Sequence, residues 1–238
     1  VANGVLIFQG MKLGFLPGDS PISLNEDGEN STKAILSTAY NVIPIWLKAA
    51  HDHLKQSKLA SEKIIEDWSE NPELQKELLV RELIPSIQVF VSCGIALDAL
   101  YDTLRPHAKI SQQEIQAWKN RGTSREKQII EVIRRTFKLK NDILKNFSDC
   151  IVPIIKYRNK AVHPSLELEN ACMRPDIRIA VDWKFSVYCY SNAERILTNT
   201  INMIVYLYDH KTGTSEIDES ISNIIDALEE LNIVQRRL

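Results

Sequence analysis

Glycine and proline are scarce. Only 8 Gly and 9 Pro occur in 238 residues, and most of the glycine lies before residue 30. That shortage argues against a turn-rich sandwich or barrel and favours long helices. Cysteine is sparse too: Cys93, Cys150, Cys172 and Cys189 are far apart and form no C-x-x-C pair. A disulfide framework is not expected, and reduced thiols in the cytoplasm are. No apolar run approaches the ~20 residues a membrane helix needs; the longest, Ile201 to Tyr208, is far shorter, so no membrane partner is expected. The apolar Val5-Leu6-Ile7-Phe8 has no basic residues before it, so it does not read as a secretory signal. Repeats and low-complexity tracts are absent as well.

What remains is an ordinary globular composition, 44% hydrophobic and 25% charged, in a chain long enough to bury a proper core. Residues 1–29 read as a strand or hairpin and a loop turned by Gly14, Pro17, Gly18 and Asp19. Residues 30–238 read as one helical domain. Its first helix is expected from Ser31-Thr32, kinked at Pro44, and a shorter one from Ser61 to Ser69. Pro72 opens a helix to about Leu104, bent at Pro85. Residues 111–120 form a small helix, Gly122-Thr123-Ser124 caps one to about Leu139, and Asn141 starts one ending at His163-Pro164. A loop with Pro175, a helix from Phe185 to Tyr208 and an acidic helix from Ser215 to about Val234 complete the chain. The fold class is all-α, a single helical bundle with a short N-terminal strand/loop extension.

The net charge of −2 hides a polarity. From Arg134 to His163 there are eight Lys/Arg against Asp142 and Asp149, whereas Glu216 to Glu230 carries six acids and no base. A basic segment of this kind attracts polyanions or is merely a solvated helix face.

On a helix turning about 100° per residue, Leu144, Phe147, Ile151, Ile154, Ile155, Ala161 and Val162 share one side, and Arg158 interrupts that stripe. A guanidinium cannot be neutralised, so it needs an acidic partner, a bound anion or a wet cleft. Asn159 and His163 are four apart and stack on one flank, where the Asn amide can orient the imidazole. Pro164 disfavours helical geometry at His163 and so loosens the last turn. Lys156 and Lys160 add positive charge for binding RNA. A histidine that titrates near neutrality and an arginine fork for phosphate oxygens together suit cleavage of RNA by its own 2′-hydroxyl. No metal or other cofactor is expected: His51 and His53 point apart on a helix, and no cysteine joins them.

Arg158-Asn159-Lys160-Ala161-Val162-His163 resembles the Arg-x4–6-His signature of HEPN domains, including the polar residue after the arginine. The upstream helix Gly94-Ile95-Ala96-Leu97-Asp98-Ala99-Leu100 is similar to the family's earlier helix, with Asp98 as its acidic residue, placed to pair with Arg158. The resemblance is strongest over residues 75–208. It implies a metal-independent endoribonuclease acting as a homodimer, with Arg158, His163, Asn159 and Asp98 in the catalytic centre, deployed in toxin–antitoxin or antiviral defence beside a protein antitoxin or regulator. Toxins of this family paired with nucleotidyltransferases carry His-x-Tyr; here the motif ends His163-Pro164-Ser165, so modification of that tyrosine is not expected. Two other readings stay open: a non-catalytic module binding RNA, nucleotide or protein through the same cleft, and a scaffold in which Arg158 is a structural ion pair.

Overall fold

The computed structural model describes residues 6–7, 11–17, 22–24, 30–32, 36–163, 165 and 167–235, with the side chains of 22–24 and 30–32 left aside. Val5, Phe8, Gly18, Asp19, Ile35 and Pro164 lie outside the described residues. The chain divides into two units, Val1–Val42 and Ile43–Leu238.

The first unit holds two antiparallel pairs, nested in sequence. Strand β1 (Met11–Gly14) pairs with β4 (Ser37–Tyr40), Met11 opposite Tyr40, and β2 (Ile22–Leu24) pairs with β3 (Asn30–Thr32). The helix expected from Ser31-Thr32 is therefore not there. Pairing across more than twenty residues overrides the local helical pattern, as strand context often does. Helix α1 begins only at Ile43 (Ile43–Asp67), so Pro44 sits in its first turn, where a missing N–H costs nothing. Ser61 to Asp67 continues the same helix and is not a separate one.

In the second unit α1 packs along α2 (Pro72–Leu104), which also meets α4 (Arg125–Phe137), α5 (Asn141–Val162) and α7 (Tyr190–Asp209). The start of α2 is set by Asn71, whose side chain accepts hydrogen bonds from the backbone N–H of Glu73 and Leu74 ahead of Pro72. Val89, Phe90, Cys93, Leu97, Leu100 and Leu104 of α2 are buried in the main core. Between Leu83 and Leu100 only Asp98 is charged, and α2 is, contrary to expectation, long and apolar enough to cross a membrane. Its apolar window is 56% buried within the fold, as in the central helix of a bundle. Interspersed Ser, Gln and Gly conceal it from a search for unbroken apolar runs.

Helix α3 (Gln112–Asn120) starts with a reciprocal cap between Ser111 and Glu114. Glu114 also accepts from Arg135 at 2.6 Å, and Arg135 and Arg134 both grip Glu131. Arg135, then the Ser111 N–H, hold the Glu114 carboxyl down at about 2. A carboxyl depressed in the folded state contributes stability that is present above its ordinary value near 4.5 and lost as pH falls towards 2. Urea unfolding between pH 5 and 2 should therefore show a loss of stability that is smaller in Glu114→Gln.

Two late regions depart from expectation. The loop around Pro175 is a hairpin, β5 (Cys172–Arg174) against β6 (Ile179–Val181), turned with Arg178 at φ 55°. The long helix from Phe185 is split: α6 (Trp183–Val187) ends, and α7 restarts at Tyr190. Tyr188 at the break is buried against Phe90, ring centroids 5.2 Å apart, and its hydroxyl donates to the Tyr157 carbonyl at 2.8 Å. Helix α8 (Ser215–Glu230) closes the bundle on α7 and α1, ending four residues before Val234.

Candidate functional site

Helix α5 buries Phe147, Cys150, Ile151, Ile154 and Ile155. The apolar stripe stops there: Leu144 and Ala161 are half-buried, and Val162 is 44% exposed. The correction has a simple cause. The last turns of α5 are held by rings, not by the aliphatic core: Tyr157 lies edge-on to Phe90 and Tyr188.

Arg158 comes next on the inward side, its side chain 18% exposed, in an ion pair with Asp98 of α2. Gly94, one turn before Asp98, makes room for it. A Cβ on Gly94 would stand 2.8 Å from Arg158 Cγ and 3.0 Å from its Cβ. Glycine inside a helix costs about 1 kcal/mol relative to alanine, and here that cost goes with seating a guanidinium stem against the helix backbone. Arg158 Nε is buried and without a hydrogen-bond partner among the described residues. Gly94→Ala should lower stability despite alanine's helix propensity, because Arg158 or α5 must shift by about 1–3 kcal/mol of overpacking. Thermal unfolding should show this penalty shrinking in an Arg158→Ala background, where Cγ and Nε are gone.

Asp98 is shared. Arg125, the first residue of α4, donates from Nε to Asp98 at 2.7 Å and lies 3.7 Å over the Tyr101 ring, with Asp102 4.0 Å away. Asp98 thus joins two guanidiniums, with Asp102 as a second acid beside Arg125. Sequence reasoning passed over Arg125. Its signal was the Asp98, Tyr101, Asp102 spacing, which lines one face of α2 with groups an arginine uses.

His163 lies just past the end of α5 at φ −124°, ψ 67°, and its N–H makes the final helical bond to the Asn159 carbonyl at 2.9 Å. Its imidazole is exposed, as are Asn159 and Lys156. Among the described residues no side-chain hydrogen bond joins Asn159 to His163, so the orienting role read from their spacing is not formed here. Nor does a hydrogen bond join His163 to Arg158. Asp149, Val152, Lys156, Asn159 and His163 are all exposed and recur at three- and four-residue steps, which makes one outward face about 20 Å long. Lys160 is not on it as a free cation: it pairs with Glu169 at 2.9 Å and lies 4.3 Å over Trp183. Among the described residues no group of three His, Cys, Asp or Glu side chains converges as a metal site.

No protein-family model, no curated protein and no solved structure matches the chain.

Proposed function

We propose that this chain is a metal-independent RNA endonuclease of HEPN type, working as a homodimer in the cytoplasm. The observation that carries the reading is the seat of Arg158: a glycine-lined, carboxylate-anchored guanidinium five residues before a histidine released at a helix end. His163 accepts the proton of a ribose 2′-hydroxyl, whose oxygen attacks the adjacent phosphorus. The bond from phosphorus to the 5′-oxygen breaks and that oxygen takes a proton from water, giving a 2′,3′-cyclic phosphate and a 5′-hydroxyl end. Arg158, seconded by Arg125, supports the negative charge on the phosphoryl oxygens, and Lys156 attracts the strand. Asp98 orients both arginines. A twofold contact would bring two such sets to one cleft and double the local positive charge. Four free thiols suit a reducing compartment, and the same chemistry fits a toxin or antiviral effector restrained by a protein partner.

A second reading has its own observation. The Arg158 guanidinium is already engaged by Asp98, which favours a chain that does not cleave: a module that binds RNA, nucleotide or a protein, or a scaffold in which this ion pair is structural. Incubating the purified chain with single-stranded RNA in EDTA separates the two. Cyclic-phosphate ends on RNA, none on DNA, and a dimer by sedimentation are the expected results. Intact RNA with retained binding would give the function to the module.

A further inference from the structure

Helix α2 carries more apolar surface than the core uses. Its apolar window is 56% buried, and what stays outside is concentrated on one face. At about 100° per residue, Val80, Ile84, Ile87, Val91 and Ile95 fall within a strip about 80° wide. Ile84 is 59% exposed, and the other four are half-buried. Ile87 touches the main core, whereas Val80, Ile84, Val91 and Ile95 pack against neither core cluster among the described residues. Val89, Phe90, Cys93 and Leu97, which are buried, lie on the other side of the helix. The strip is about 22 Å long. It is a continuous row along the open face of α2, unlike the single apolar side chains ordinary on a surface.

Its spacing is palindromic. Reflected about a point between Ile87 and Gln88, Val80 falls on Ile95 and Ile84 falls on Val91. A second α2 running antiparallel therefore lays the same row on itself, as an isologous contact requires. The flanking charges suit that reversal. Glu73, Lys76, Glu77 and Arg81 stand about one end, and Asp98, Asp102, Arg105 and Arg125 about the other, so each end offers both signs. Lys76, whose own acid Glu73 is 3.9 Å away, arrives beside the partner's Asp98 and Asp102. Glu77 falls level with the partner's Asp98, where Arg125 and Arg158 offset it.

We infer that α2 pairs antiparallel with α2 of a second copy along Val80–Ile95. The inference rests on the homodimer reading and gives that dimer its surface and register. A twofold axis that reverses a helix runs across the seam. An element beside α2 in one copy therefore lies on the same side of the seam in the other. Arg158 abuts Gly94 from the α5 flank, so both Arg158 seats lie along one side, with the two Gly94 about 20 Å apart along the seam. Acids at both ends of the row oppose a lipid surface, whose peripheral helices carry Lys and Arg there.

The test is sedimentation of the full chain, joined to cysteine cross-linking. The parent should be a dimer, and Ile84→Arg should weaken it about a hundredfold. Ile84 is exposed, so that variant should keep the parental circular-dichroism spectrum. Gln88→Cys, beside the axis, should cross-link to its own copy on mild oxidation, where the parent does not. Val80→Cys should cross-link only when mixed with Ile95→Cys, because a disulfide needs close approach. His163→Ala should stop cleavage and leave the dimer whole, so the chemistry and the interface fail separately. A parental dimer that Ile84→Arg leaves intact overturns the inference and spares the homodimer reading. So does Val80→Cys linking to itself, as a parallel pair would. A parent that is monomeric at about tens of micromolar overturns both. Binding of phosphatidylcholine vesicles that Ile84→Arg abolishes gives the row to a membrane surface, and the inference falls.

Discussion

His163→Ala is expected to slow RNA cleavage about 10²–10⁴-fold, the usual contribution of a positioned general base, while thermal unfolding stays at the parental temperature. The imidazole is exposed, and only the backbone N–H of His163 takes part in closing α5. Arg158→Ala should be as damaging to cleavage. It should not unfold the chain, because Asp98 keeps Arg125 as a partner 2.7 Å away and no carboxylate is stranded. Arg158→Lys should restore little, since an ammonium cannot offer two parallel donors to a phosphate. If either alanine variant cuts RNA at the parental rate, the endonuclease reading is wrong.

Arg174→Ala should behave in the opposite way, leaving the cleavage residues in place and costing stability. Arg174 and Glu82 are 3% and 1% exposed and pair at 2.7 Å, with Asp176 as a second partner of Arg174 at 2.8 Å. Removing one member of a buried pair costs about 3–5 kcal/mol because the other charge stays buried; for a unit of this size that is about 10 °C in unfolding temperature. Burial already pushes the Glu82 carboxyl above its ordinary range, even with Arg174 opposing that shift. A raised carboxyl contributes stability that is full below its unfolded value and is lost as pH rises through the folded one. The deficit of Arg174→Ala should therefore shrink in acid, and Glu82→Gln should relieve part of it at neutral pH. Calorimetry of the three proteins at pH 4.5 and 7.5 decides this; an equal deficit at both values would show that Glu82 is not the stranded group.

Sequence pattern was a good guide where a helix end carries its own signal. Pro72 opens its helix where expected, the small helix expected over 111–120 spans Gln112–Asn120, and Pro164 foretold a helix that stops at Val162. It failed where a partner distant in sequence decides. Strand β4 exists because Met11–Gly14 lies opposite it, the α6–α7 break because Tyr188 turns in to Phe90, and the β5–β6 hairpin is pinned through Arg174 to α2. The site was half legible. An arginine in an apolar stripe and an acid on an upstream helix were visible as a pair, and their ion pair is formed. The sharing of Asp98 with Arg125, and the engagement of Lys160 by Glu169 and Trp183, depend on elements that only folding brings near.

The hairpin that follows the motif also makes the bundle a two-piece object. Leu168 is fully exposed in the connection after His163, the kind of strand that proteases nick first. On one side of it lie α1 to α5; on the other lie the hairpin, α6, α7 and α8. Helices α1, α2 and α5 meet α7 across that divide, Tyr188 donates to the Tyr157 carbonyl, and Arg174 is clasped by Glu82. A cut at Leu168 would thus separate two fragments in covalent bond only, and the histidine would be left at a loose end of a bundle still whole.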